Sequence, residues 1–177
     1  MIANSKKMAR TFWAIVLGIT FSVPALSQSY EYVNPLNQRH TVSLQVLPPS
    51  FAGGDRGFVA EFCTPSDHYV CISSAEFSFA FPIARKPDVL KWEYKGHAYE
   101  LIGQEKLQVL GSSLKVWIIE SVQDVKKIRY SYSEQQGLLA FSIELSDVSS
   151  TFLSVHKVGF GSQKNMKTIS KQHKAAQ

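Results

Sequence analysis

The sequence predicts an all-β protein, an antiparallel meander of about nine to eleven strands arranged as a curved sheet, a sandwich or a partial barrel. Three observations lead there. Apolar and polar residues alternate with a period of two through most of the chain. Turn-forming residues recur at short intervals between these stretches. Only two cysteines are present, close enough in sequence to staple a single hairpin.

The 177 residues are 45% hydrophobic and 19% charged, a globular composition, and a chain of this length makes one domain. Residues 1–27 read as an export leader. Lys6, Lys7 and Arg10 precede an apolar run from Thr11 to Leu26 that Pro24 interrupts. A bilayer span needs about 20 apolar residues, so this run is too short to cross comfortably. Ala25-Leu26-Ser27 has the small-x-small pattern of a signal peptidase site and predicts cleavage between Ser27 and Gln28. With no cysteine after the run, a lipid anchor is not expected. The implied compartment is the periplasm of a Gram-negative bacterium or the medium outside it. Loss of the three leader cations lowers the net charge from +5 to +2, which argues against a wholesale polyanion-binding protein.

Along the mature chain, Val42, Leu44 and Val46 alternate with Thr41, Ser43 and Gln45, as expected of a strand with one buried face. Pro48 to Gly57 reads as the one long connection. Phe58, Ala60 and Phe62 then share one face, and Val59, Glu61 and Cys63 the other. Cys63 and Cys71 bracket Thr64-Pro65-Ser66-Asp67, a turn-like cluster, so they are predicted to form a structural disulfide across a hairpin. Phe77, Phe79 and Phe81 alternate with Glu76, Ser78 and Ala80 in the next strand.

Turn chemistry predicts three further hairpins. Gly96-His97 suits a type II′ turn that sets Tyr94 opposite Tyr99 and Trp92 opposite Leu101. Gly111-Ser112 does the same for Val109 with Leu114 and Leu107 with Val116. Glu134 to Gly137 closes a four-residue loop that aligns Tyr132 with Leu139, Tyr130 with Phe141, Ile128 with Ile143, and Lys127 with Glu144. In that last register apolar meets apolar and charge meets opposite charge, and a slip of one residue would destroy both agreements. Asp147 to His156 fits a helix as well as a strand. From Gly161 the alternation stops, and residues 161–177 read as a basic disordered tail carrying Lys164, Lys167, Lys171 and Lys174 without an acid. The single β-domain is then 28–160.

Catalytic signatures are missing from this pattern. No G-x-S-x-G elbow marks a nucleophile. His40, His68, His97 and His156 stand singly, without H-E-x-x-H or another metal-ligand spacing, so no metal is expected. Gly53-Gly54 precedes no helix that could cradle a phosphate. The sequence therefore points away from an enzyme and implies no cofactor. Its most informative feature is aromatic. Trp92, Tyr94, Tyr99, Tyr130 and Tyr132 fall on single strand faces beside Phe77, Phe79 and Phe81, where they either fill a core or offer a binding surface. These five are the candidate ligand-binding residues.

Trp92, Tyr94, Gly96 and Tyr99 form a W-x-Y-x-G-x-x-Y strand pair, and Tyr130 to Leu139 reads Y-x-Y-S-x-x-x-G-L-L. Residues 91–145 in this respect resemble a recurring segment of uncharacterised bacterial exported β-meander proteins. The resemblance implies a β-meander in the cell envelope and transfers no catalytic residue.

Together these features predict an exported, non-enzymatic binding protein that presents a curved aromatic sheet to an apolar envelope ligand or a protein partner. The alternative is a secreted or periplasmic inhibitor or immunity-type protein acting through its loops. Nucleic acid is not an expected partner, no membrane span is expected after cleavage, and the tail lysines suit weak contact with anionic surfaces. Intact-mass analysis of protein recovered from the envelope tests the leader: the mass of residues 28–177 is expected, and the full-length mass would contradict it.

Overall fold

The computed structural model describes residues 28–163 except 47, 64–67 and 87, so the predicted leader and nearly all of the predicted tail lie outside the described residues. Twelve strands follow one another: β1 (Ser29–Asn34), β2 (Asn37–Gln45), β3 (Ser50–Gly53), β4 (Arg56–Phe62), β5 (Tyr69–Ser74), β6 (Ser78–Pro82), β7 (Lys91–Tyr94), β8 (His97–Val109), β9 (Ser112–Gln123), β10 (Lys126–Ser133), β11 (Gly137–Leu145) and β12 (Val148–Ser154). They form one antiparallel sheet in the order β6-β5-β4-β3-β2-β1-β12-β11-β10-β9-β8-β7, rolled into a nearly closed barrel. The fold is the predicted all-β meander, with slightly more strands than expected.

The extra strand comes from the predicted long connection. Within Pro48 to Gly57, residues Ser50–Gly53 form β3, and the tight turn Gly54-Asp55 pairs Gly53 with Arg56 and Phe51 with Phe58. The segment Asp147 to His156 is resolved as strand β12, with Phe152 opposite Phe141. Two hairpin registers also differ from expectation. Lys95-Gly96 and Leu110-Gly111 form the turns, all four residues having positive φ as a type I′ turn requires. Trp92 therefore opposes Tyr99, and Leu107 opposes Leu114. Each shift is two residues, so every side chain keeps its predicted face. The β10–β11 hairpin pairs Tyr130 with Phe141, Ile128 with Ile143 and Lys127 with Glu144 as predicted. A bulge next to Tyr132 moves its partner from Leu139 to Leu138.

The interior is one aromatic core. Phe77, just before β6, and Phe79 and Phe81 within it meet Phe141, Tyr130 and Tyr132 across the barrel, with ring centroids 4.9, 5.1 and 4.6 Å apart. A smaller cluster of Val109, Val116, Ile118 and Leu139 packs separately, where the β8–β9 hairpin continues past the bulge at Leu101/Gly103. The disulfide joins Cys63 to Cys71 with Cα atoms 5.1 Å apart, as predicted, and the Tyr94 hydroxyl donates to Cys71 Sγ at 3.0 Å.

The outer strands β6 and β7 share no backbone ladder, and side chains close the gap. The Gln123 carboxamide meets both backbone polar groups of one β6 residue: the Ser78 N–H donates to Oε1 at 3.0 Å, and Nε2 donates to the Ser78 carbonyl at 2.6 Å. The Tyr130 hydroxyl donates to that same carbonyl. From β7, Trp92 Nε1 donates to the Ala80 carbonyl at 3.0 Å. All of these groups are buried, so the exposed edge expected of β6 is absent.

The predicted domain boundary at residue 160 falls inside the core. Phe160 and Ser162 are buried, Phe160 bridges Leu138, and the Tyr132 hydroxyl donates to the Gly161 carbonyl at 3.0 Å. Close backbone approach allows this docking, since a Cβ at Gly159 would lie 1.7 Å from the Leu138 oxygen. Ending the chain after Gln163 should leave the thermal melt unchanged. Phe160→Ala should cost roughly 3 to 5 kcal/mol in chemical denaturation, the range for a large core aromatic. A Phe160→Ala protein as stable as the parent would show that the segment does not dock.

Candidate functional site at one end of the barrel

The meander places the β1–β2, β3–β4, β5–β6, β9–β10 and β11–β12 turns at one end of the barrel. At that end the core stops short of the rim and leaves a cleft of about 280 Å³, small for a ligand site. Its walls are Val42 of β2, Phe51 and Phe58 of the β3–β4 hairpin, Ile143 of β11 and Phe152 of β12. Rigid neighbours hold these side chains. Phe51 stacks on Phe77 at 5.2 Å between centroids, and Phe152 stacks on Phe141 at 5.1 Å. Gly53, also in the wall, leaves room beside Val42 and Phe51, its added Cβ meeting nothing closer than 3.8 Å.

Polar residues ring the opening: His40, Thr41, Arg56, Glu76 and Lys126. The Lys126 ammonium pairs with the Glu76 carboxylate. Hydrogen bonding and charge attraction from Lys126, with a contribution from Arg56, hold the Glu76 carboxyl below its ordinary pKa. Among the described residues no carboxylate forms a salt bridge with Arg56. Leu145 and Val148 are exposed and oppose each other on the sheet face that carries Ile143 and Phe152, with Ser150 between Val148 and Phe152. They extend the apolar wall beyond the rim.

Two other hollows differ in kind. One of about 370 Å³ lies at the opposite end between Val70, Phe81, Ile83, Tyr132 and Gln163, where the described chain stops. The other, of about 450 Å³, lies over β7, β8 and β9. There Trp92 and Tyr99 line the hollow beside the Lys91–Glu100 and Lys127–Glu120 ion pairs, at 3.1 and 3.0 Å. Among the described residues no group of three His, Cys, Asp or Glu side chains gathers as a metal site.

Of the five aromatic candidates, Tyr99, Tyr130 and Tyr132 are fully buried, Trp92 is 9% exposed and Tyr94 is half-buried. The fold brings Trp92, Tyr99, Tyr130 and Tyr132 together in the core, and Tyr94 sits on the disulfide. None of the five lines the end cleft. The cleft residues Phe51 and Arg56 went unrecognised because Pro48 to Gly57 reads as one long connection, and Phe58 because it reads as the first residue of a strand face beyond it. The signal was there: Phe51 and Phe58 flank Gly54-Asp55 at equal distance, which is the pattern of a tight hairpin.

Comparison of the chain and its fold with protein-family models, curated proteins and solved structures finds no match. The functional reading therefore rests on the chemistry of the cleft.

Burial has one further chemical consequence. Desolvation pushes the Tyr99 phenol up to about 12, its hydrogen bond to Ser78 working the other way. Desolvation also raises Tyr32, Tyr130 and Tyr132 well above the ordinary value near 10. Phenols that ionise more readily in the unfolded chain stabilise the fold fully below about pH 10 and progressively less above it, each by about 1.4 kcal/mol per pH unit. Absorbance of tyrosinate from these four should therefore rise together with unfolding in an alkaline titration. Ionisation of all four near pH 10 with the fold intact would contradict the burial.

Proposed function

We propose that this chain is an exported, non-enzymatic binding module of the bacterial envelope, and that it holds an apolar group in the cleft framed by the β3–β4 hairpin, β11 and β12. The observation that carries the reading is the contrast between a barrel interior packed with rings and an open, aromatic-floored hollow at one end. A cleft walled by carbon, with polar groups only at its rim, favours holding a molecule over transforming it. The disulfide fits an oxidising compartment, and among the described residues no helix is long and apolar enough to cross a membrane. The aromatic sheet faces of the sequence reading then serve as the scaffold, and the hairpin supplies the contact.

A second reading, a loop-borne inhibitor, draws support from Leu36 and Val125. These turn residues at the cleft end are 96% and 76% exposed. In that case Leu36→Asp with Val125→Asp abolishes capture of a protein partner and leaves the cleft untouched.

A neutral apolar dye tests the first reading. N-phenyl-1-naphthylamine should brighten on binding the full-length mature protein. Gly53→Leu, which fills the wall without backbone strain, should remove the signal and leave the melting temperature unchanged. Undiminished dye binding by that variant would place the site elsewhere.

A further inference from the structure

The rim of the cleft carries more positive than negative charge, and its one carboxylate is already taken. Lys126 neutralises Glu76, while Arg56 and His40 stand exposed at the same opening. Elsewhere on the barrel Lys91 pairs with Glu100, Lys95 with Glu61, Lys127 with Glu120 and Arg129 with Glu105. A guanidinium without a carboxylate beside an apolar hollow is suited to an anion that brings its own apolar body. The hollow is too small for a tetracyclic or multi-chain lipid but accommodates a single flexible chain. Leu145, with its cross-strand partner Val148, continues the apolar wall outward from Ile143, so methylenes leaving the cleft there remain covered.

We infer that the ligand is a single-chain anionic amphiphile whose hydrocarbon tail lies on Phe51, Phe58, Ile143 and Phe152 and whose carboxylate head meets Arg56. This inference rests on the reading of the cleft as an apolar binding site and adds the chemical class of what fills it. Arg56 supplies the selection: its planar donors match a carboxylate in two-point geometry, which an alcohol of equal chain length does not offer. Lys126 is already paired with Glu76, so among the rim's Lys and Arg side chains Arg56 is the one outside a salt bridge with any described residue and open to the head.

Calorimetric titration of the mature, disulfide-bonded protein with decanoate and with decanol separates the two levels. Decanoate is expected to bind more tightly than decanol. Arg56→Gln should weaken decanoate by about three- to tenfold, the effect of a partly exposed charge-assisted contact, and leave decanol unchanged. Gly53→Leu should abolish both. Equal affinities for the two probes in the parent protein, or an Arg56→Gln variant that keeps the decanoate preference, would overturn the head-group assignment while the cleft reading stands. Failure of both probes to bind the parent protein would overturn the cleft reading as well.

Discussion

A strand at the edge of a sheet has peptide groups with no ladder partner, and in this fold one such edge, that of β6, lies where water does not reach. Burying those groups unpaired would cost on the order of 1 to 3 kcal/mol each. Gln123 prevents this by presenting a side-chain amide where the next strand's backbone would be, so that both the N–H and the carbonyl of Ser78 are bonded. Trp92 and Tyr130 complete the arrangement from either side. Sheet closure thus depends on a few directional side-chain bonds, and without them the aromatic faces of β6, β7 and β10 would be open to solvent.

Closure is the reason the proposed binding site lies at an end of the barrel. With Phe77, Phe79 and Phe81 packed into Tyr130, Tyr132 and Phe141, the interior has no room for a ligand and its phenols resist ionisation. The outer surface is largely occupied by cross-strand ion pairs, which contribute little stability but keep neighbouring charges satisfied. What remains is the rim, where the β3–β4 hairpin stands over an unfilled part of the core and Arg56 lines the opening. Binding there needs no movement of the closed sheet.

Local patterns were legible in the sequence, and contacts between distant strands were not. The β10–β11 register followed from residues on adjacent strands, because Lys127 and Glu144, like Tyr130 and Phe141, restrict the pairing to one solution. The hairpins at Gly96 and Gly111 were displaced because Lys95 and Leu110 adopt a left-handed conformation that their side chains do not advertise. Period two protected the inference of buried faces from that error. Whether those faces bind or pack depended on Gln123 meeting Ser78, 45 residues away in sequence, and no local rule reports such a contact. The cleft was hidden by its glycines, and the docking of Phe160 by its position beyond the last alternating segment.

Hydrogen exchange at the Ser78 amide tests the closed seam most directly. An amide held by a buried side chain that substitutes for a missing strand should exchange about as slowly as the central amides of β10, within about 1 kcal/mol of global unfolding. Rapid, edge-like exchange at Ser78 while β10 stays protected would show that the seam opens in the native protein. The aromatic sheet faces, and not the end cleft, would then be the surface available to a partner.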